Sequence, residues 1–183
     1  MVRRRLWLVC ALLFLASSTF ADPSGSDNKN DDRLRRTNDA LMVDVFPTLV
    51  GAAEGYTDIV FEGQTAFSRQ WALASIGEVG SISGIQVFNL QIGPQLRPFG
   101  AYLNGFLLGV YPGFGYLSLY PISIWFFSFT GETGYQWVFK SGFVLGLTTG
   151  FTYLNVSPYL SAFKWDLGAN VGFAFADPFI AAK

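Results

Sequence analysis

The chain has no histidine and a single cysteine, Cys10. Without imidazole there is no side chain that titrates unperturbed near neutral pH, no Ser-His-Asp relay and no histidine-based metal site. Cys10 falls in an N-terminal segment that reads as cleaved, which leaves the mature chain without a disulfide or a thiol nucleophile. Charge is also scarce, at 14% Asp, Glu, Lys and Arg, where globular domains carry about 25%. The net charge is −1. It becomes −4 once Arg3, Arg4 and Arg5 are removed, which offers nothing to nucleic acid. These absences leave a carboxylate-only site as the one enzymatic arrangement still open. No residue stands out as catalytic, cofactor-binding or metal-ligating, and the chain reads as non-enzymatic.

What is abundant is apolar, aromatic and small. Hydrophobic residues make up 51% of the chain and aromatics 17%, with 20 glycines and 19 phenylalanines against 2 methionines. Helical membrane proteins draw on Leu, Ile, Ala and Met, so this bias points to strands and turns.

The first 21 residues have the three-part layout of a secretory signal. Arg3-Arg4-Arg5 is the basic region, Leu6 to Ala16 the apolar core, and Thr19-Phe20-Ala21 the small-residue cleavage site. Eleven apolar residues are short for a spanning helix, which needs about 20. Residues 22–40 follow as a charged, Pro/Gly/Ser/Asn-rich segment with too little apolar surface to fold alone, read as a flexible periplasmic linker. Arg33, Arg35 and Arg36 there read as solvated charges, with contact to anionic headgroups as the other reading.

Between Pro98 and Gly131 there is no charged residue, and hydropathy alone allows a transmembrane helix there. Periodicity argues for strands. Phe143, Leu145, Leu147, Thr149, Phe151 and Tyr153 alternate with Val144, Gly146, Thr148, Gly150 and Thr152. A period of two is the mark of a strand. The same alternation runs through Phe88–Arg97, Gly105–Tyr116, Phe127–Trp137 and Trp165–Phe175, and Pro112 would disrupt a helix. Eight strands are expected, at Leu41–Val50, Tyr56–Phe67, Trp71–Val79, Ile85–Arg97, Leu103–Leu119, Ile124–Phe139, Ser141–Val156 and Lys164–Ala176. Each is long enough to cross a bilayer, eight is a usual number for closure, and closure removes the edges that hydrocarbon cannot tolerate. The fold class is therefore an eight-stranded antiparallel up-and-down transmembrane β-barrel over residues 41–176, with a short tail at 177–183.

From Leu41 onward there are eight acidic and five basic residues, too few to keep a soluble barrel's exterior in water. The apolar set is thus assigned to lipid and the small and polar set to the lumen. Trp71, Tyr102, Tyr120, Trp125, Trp137, Tyr159 and Trp165 suit interfacial girdles.

Several stretches carry a resemblance. They are Leu41–Phe67 with its Val-Phe-Pro, Ile92-Gly93-Pro94-Gln95-Leu96-Arg97, Asn104-Gly105-Phe106 with Leu108-Gly109, and Glu132-Thr133-Gly134-Tyr135-Gln136-Trp137. The chain resembles a family of small, functionally uncharacterised bacterial outer-membrane barrels and, more loosely, the OmpW- and OmpA-type eight-stranded barrels. The resemblance implies a bacterial outer-membrane location and outer-membrane lipids as surroundings, and it brings no catalytic residues. Asp166, Gly168, Val171 and Phe173 look like the last-strand signal read by the outer-membrane insertion machinery, although Asp177 to Lys183 extends beyond it. Small barrel enzymes such as lipid A deacylases depend on histidines that this chain lacks.

On this register Asp44, Asp58, Glu62, Arg97, Glu132 and Asp166 project into the lumen with Gln91, Gln95, Gln136 and Asn170. Arg97 is the one clear lumenal cation and is expected to bridge Glu62 or Glu132. The leading reading is a monomeric, structural barrel with a largely filled lumen. A narrow channel, or an OmpW-like conduit for small solutes, hydrophobic ones included, stays open as an alternative, because lumenal glycines leave room for water. A surface interaction (adhesin-like) role is the third reading, set against short outer connections near Ala53–Gly55, Gly80–Gly84, Tyr120–Ser123 and Ser157–Phe163.

Overall fold

A computed structural model describes residues 38–100, 102–157 and 160–175. The expected signal segment, most of the linker and the C-terminal tail lie outside the described residues. The elements run β1 (Asp39–Asp44), α1 (Val45–Glu54), β2 (Thr57–Ala66), β3 (Trp71–Ile82), β4 (Ile85–Leu96), β5 (Gly105–Leu119), β6 (Ile122–Val138), β7 (Phe143–Ser157) and β8 (Leu160–Phe175). Each strand pairs antiparallel with the next, and β1 pairs with β8, so the sheet closes on itself in chain order. The eight-stranded up-and-down barrel read from the alternation is what forms.

The alternation sets the faces. On β4, Phe88, Leu90 and Ile92 are exposed while Asn89, Gln91 and Gln95 are buried. Phe114, Phe151, Trp165 and Phe173 likewise stand on the outer wall, and Tyr111, Ser128, Gln136 and Asn170 face inward. Large apolar groups outside and amides inside invert the arrangement of a water-soluble domain. A monomer's largest apolar patch is typically about 300–600 Å², and here the outer wall is apolar from strand to strand. Among the described residues no helix is long and apolar enough to cross a membrane.

Call the end where β1 begins and β8 ends the terminal end, and the opposite one the hairpin end. At the hairpin end β3 turns into β4 through Ser83 (φ 49°) and Gly84 (φ 83°). Positive φ at both central residues is the two-residue turn that matches the twist of the strands. β5 and β6 meet across only Tyr120 and Pro121, and β7 and β8 across residues 158 and 159. These connections are tighter than the sequence suggested, because β3, β6 and β8 begin or end several residues beyond their expected bounds. Phe163 and Leu160, expected in an apolar last loop, belong to β8. Tyr159 lies outside the described residues.

The first strand departs furthest from expectation. The sequence pattern predicts one strand over Leu41–Val50, but β1 stops at Asp44 and Val45–Glu54 is helical. The Asp44 carboxylate accepts from Phe46 N at 3.0 Å and so caps the helix. Gly55, at φ 81°, ends it with its N–H returned to the Gly51 carbonyl. The helix lies against both β2 and β8, the strands that β1 would otherwise separate there. Its Phe46 and Leu49 are exposed, which extends the apolar wall across the gap. Polar seams close the joint. Asp44 Oδ1 also accepts from Ala169 N on β8 at 2.9 Å, and Thr48 Oγ1 donates to the Asp58 carbonyl on β2 at 2.9 Å. Both are backbone groups on the flank that β1 no longer covers. Gly168 makes the β8 contact possible, because a Cβ there would lie 2.7 Å from Asp44 Oδ2.

Asp44→Ala removes a helix cap, typically ~1 kcal/mol, and strands a backbone N–H, typically about 1–3 kcal/mol. The variant in vesicles is expected to be less stable to urea by about 2–4 kcal/mol, with faster hydrogen exchange at the Ala169 amide. Unchanged exchange at Ala169 would show that the seam is not held by this carboxylate.

Candidate functional site: the barrel lumen

Going from the terminal end upward, the lumen is first apolar. Ala40, Met42, Ala66, Ala72, Leu103, Val138, Val144 and Ala174 form one buried cluster, with Tyr102 packed against it. Leu103 comes from the connection between β4 and β5, which folds inward as a stopper. That connection is tied down by Arg97 N to the Gln70 carbonyl (2.7 Å), Tyr102 N to the Arg69 carbonyl (2.6 Å) and Val138 N to Asn104 Oδ1 (3.1 Å). Leu103–Asn104, expected at the start of a strand, belong to this stopper, and β5 begins at Gly105.

Above the stopper is a lower polar belt around Arg97, which is fully buried. Its Nη2 donates to Gln64 Oε1 at 2.9 Å and to Gln95 Oε1 at 3.0 Å. Each glutamine then donates its amide nitrogen to Glu62 Oε1, Gln64 at 2.7 Å and Gln95 at 2.9 Å. Asn170 Nδ2 reaches Glu62 Oε2 at 3.3 Å, and Gln95 Nε2 also reaches the Tyr111 hydroxyl at 2.7 Å. The expected direct bridge from Arg97 to Glu62 or Glu132 is therefore replaced by two amide relays. An amide has an acceptor and a donor on one rigid plane, so it joins cation to anion without bringing them into contact. Gln136 is buried at this end of the lumen, and Glu132 sits on the inward face of β6 beside Tyr111 and Thr148.

An upper belt crosses the lumen nearer the hairpin end. Lys164 Nζ contacts Asp166 Oδ1 at 3.0 Å, and Thr152 Oγ1 donates to Asp166 Oδ2 at 2.7 Å. Thr130 and Thr152 hydroxyls are 2.8 Å apart, and Gln91 Nε2 donates to Thr130 (2.8 Å) and Ser128 (3.1 Å). Ser128 donates to Asn89 Oδ1 at 2.8 Å, and Asn89 donates to Glu78 Oε2 at 3.3 Å. One hydrogen-bonded chain thus spans five strands.

Asp44 and Asp166 sit toward the hairpin end, Asp58 is buried on β2, and Glu62, Arg97 and Glu132 belong to the lower level. The structure joins Arg97 and Glu62 in one network but keeps Asp44, Asp58 and Asp166 apart from it. Sequence reasoning missed Lys164 and Glu78. Both occupy the inward parity of their strands, Lys164 two residues before Asp166 and Glu78 opposite Asn89, and that parity was the signal available. It also missed Tyr111, an inward aromatic flanked by Gly109 and Gly113 on the same face. The glycines do not leave the lumen vacant. Neighbouring side chains occupy the space of their missing Cβ atoms: Tyr111 over Gly109, Phe126 over Gly115, Gln91 over Gly113 and Asn170 over Gly146. Of the last-strand residues, Val171 and Phe173 lie on the outer parity and Gly168 faces Asp44. Among the described residues no group of three or more Asp, Glu, Cys or His has a metal-holding arrangement.

No family model matches the sequence, and no curated protein does. Among solved structures the chain is similar to the backbone structure of the outer membrane protein Ail from Yersinia pestis in a phospholipid bilayer nanodisc. The identity is 13% and the TM-score 0.47, over 75% of this chain and 99% of that one.

Because a single guanidinium nitrogen makes both amide contacts, Arg97→Lys keeps a donor where it is used. Arg97→Met leaves Glu62 buried with no cation, and breaking a buried pair of this kind costs about 3–5 kcal/mol. Urea unfolding in vesicles should therefore show Arg97→Lys losing less than half of what Arg97→Met loses, and Glu62→Gln should recover part of the Arg97→Met loss. Equal losses for the Lys and Met variants would refute the relay.

Proposed function

We propose that the chain is an integral barrel of a bacterial outer membrane, exported by its N-terminal signal, and that its role is structural and not enzymatic. The observation that supports this reading is the inversion of polarity across the wall: Leu90 and Ile92 are more than half exposed, and their strand neighbours Asn89 and Gln91 are almost completely buried. Water on such an exterior is costly, and lipid is the medium that matches it. The 12 residues of β4, at ~3.3 Å each and tilted about 40°, rise roughly 30 Å, the hydrocarbon depth of a bilayer. The proposed topology places both termini in the periplasm and the hairpin end outside, with Asp166, Gly168, Val171 and Phe173 presented to the insertion machinery before closure.

A structural role is favoured over a conduit because the terminal end is stoppered by Leu103 and its apolar neighbours. Below the mouth the lumen is crossed by two hydrogen-bonded belts, so ion passage requires both to break. Short hairpins give an adhesin reading little surface to work with.

Three measurements test this. Folded protein should migrate differently on gels before and after boiling and show strand-type circular dichroism, and a strongly helical spectrum would overturn the fold and the function together. In vesicles Leu90→Arg should destabilise by about 2–4 kcal/mol, as a cation near the bilayer midplane does, where a water-exposed site would change by less than about 0.5 kcal/mol. In planar bilayers the protein should be silent. Discrete conductance, altered by Arg97→Ala, would replace the structural reading with the channel reading.

A further inference from the structure

The lumen is closed at the terminal end and open at the hairpin end. Inward-facing Ala40 is 3% exposed at the first, while inward-facing Ile122 is 57% exposed at the second. The two halves of this open mouth differ in chemistry. On one half, β1, β2, β3 and β8 bring Asp44, Asp58, Glu78 and Asp166 within electrostatic reach of Lys164. Four carboxylates thus share one ammonium. On the other half, β4, β6 and β7 present Val87, Phe126 and Leu154 on their inward parity, with Phe126 lying over Gly115.

Three of the four carboxylates are already engaged. Asp44 caps α1 and meets Ala169, Asp166 holds Lys164 and Thr152, and Glu78 accepts from Asn89. Asp58 is different. Only 9% of it is exposed, and its Oδ1 has no hydrogen-bond partner. A carboxylate oxygen withdrawn from water and left without a donor is unfavourable until a donor meets it. The carboxylates do not converge as metal ligands do. The surroundings combine a charged acceptor with a hydrocarbon wall, and that pairing suits a molecule with a cationic head and an apolar body.

We propose that the hairpin-end mouth binds a small amphipathic organic cation, a primary alkyl- or aralkylammonium. Its N–H donors meet Asp58, and its hydrocarbon lies against the Phe126 side. The upper belt forms the floor, so the ligand is held and not passed through. Lys164 competes with it, since its ammonium sits in the same field. The proposal concerns the mouth alone and does not require the barrel to be silent to ions.

The test is isothermal titration of the full chain in lipid nanodiscs with hexylammonium, hexanol and hexanoate, each corrected by titrating empty nanodiscs. Saturable binding of about one hexylammonium per chain is expected, weakening with added salt, with none for hexanol or hexanoate. Asp58→Asn should weaken it at least tenfold, Lys164→Met should tighten it severalfold, and Asp39→Asn at the terminal end should leave it unchanged. Absence of saturable binding, equal binding of all three probes, or an unmoved affinity in Asp58→Asn would overturn the proposal. Should Asp58→Asn fail the gel-shift test for folding, Lys164→Met decides, and an unchanged affinity there overturns it.

Discussion

The barrel depends on the pairing of its first strand with its last. β1 offers six residues to β8, from Asp39 opposite Phe175 to Asp44 opposite Asn170, whereas β7 and β8 pair along nearly their whole length. A sheet in hydrocarbon cannot leave an edge, because unpaired donors and acceptors there have no water to turn to. The short seam therefore has to be completed by other means. α1 supplies an apolar cover, and Asp44 and Thr48 supply acceptor and donor for backbone groups that a longer β1 would have met. One carboxylate thus ends a strand, starts a helix and closes a wall. That triple duty explains why Gly168 has no side chain opposite it.

The lumen obeys a second constraint. Eight strands enclose a space that side chains fill, and here the filling is polar over two levels. Direct pairing of Arg97 with Glu62 would desolvate both ions for a single contact, and buried pairs often gain little after that desolvation. Gln64 and Gln95 instead solvate the two charges from within the protein. The result is a rigid cross-brace linking β2 to β4, with Asn170 tying in β8. The upper belt braces the opposite strands with hydroxyls and amides. Bracing from within complements a wall whose large apolar side chains stand exposed on its outer face.

Strand count, order and faces were legible in the sequence because period-two alternation acts on every strand, and an apolar wall outside with polar filling inside leaves a consistent trace in it. The helix was not. Val45–Val50 is apolar and short, a composition a strand and a helix share, and what decides between them is the neighbouring length of β2 and β8, a tertiary fact. Ends moved for the same reason: a hairpin turn such as Ser83-Gly84 is fixed by φ values and pairing, and composition only hints at them. Within the site, parity placed Glu62, Arg97 and Asp58 inward, but the partner of Arg97 was misread. Charge attracts charge on paper, and only the cross-strand register shows that Gln64 and Gln95 stand between. The lumenal glycines misled in a related way. They read as empty space, yet Gly109, Gly113 and Gly115 lack a Cβ where the side chains of Tyr111, Gln91 and Phe126 lie.

These two constraints divide the molecule along its axis. The terminal end carries the stopper and, above it, the lower belt, both buried, while the α1 seam lies with Asp44 toward the hairpin end. The hairpin end carries exposed inward residues, a salt bridge open to water and one buried acceptor without a donor. Asp44 and Asp58 belong to both the seam and the mouth, Asp44 through its carboxylate and Asp58 through the backbone carbonyl that Thr48 meets, so a change at the mouth that spares these two contacts leaves the closure intact. A binding function of the kind proposed is therefore to be sought at the mouth, on the side of the upper belt away from the stopper.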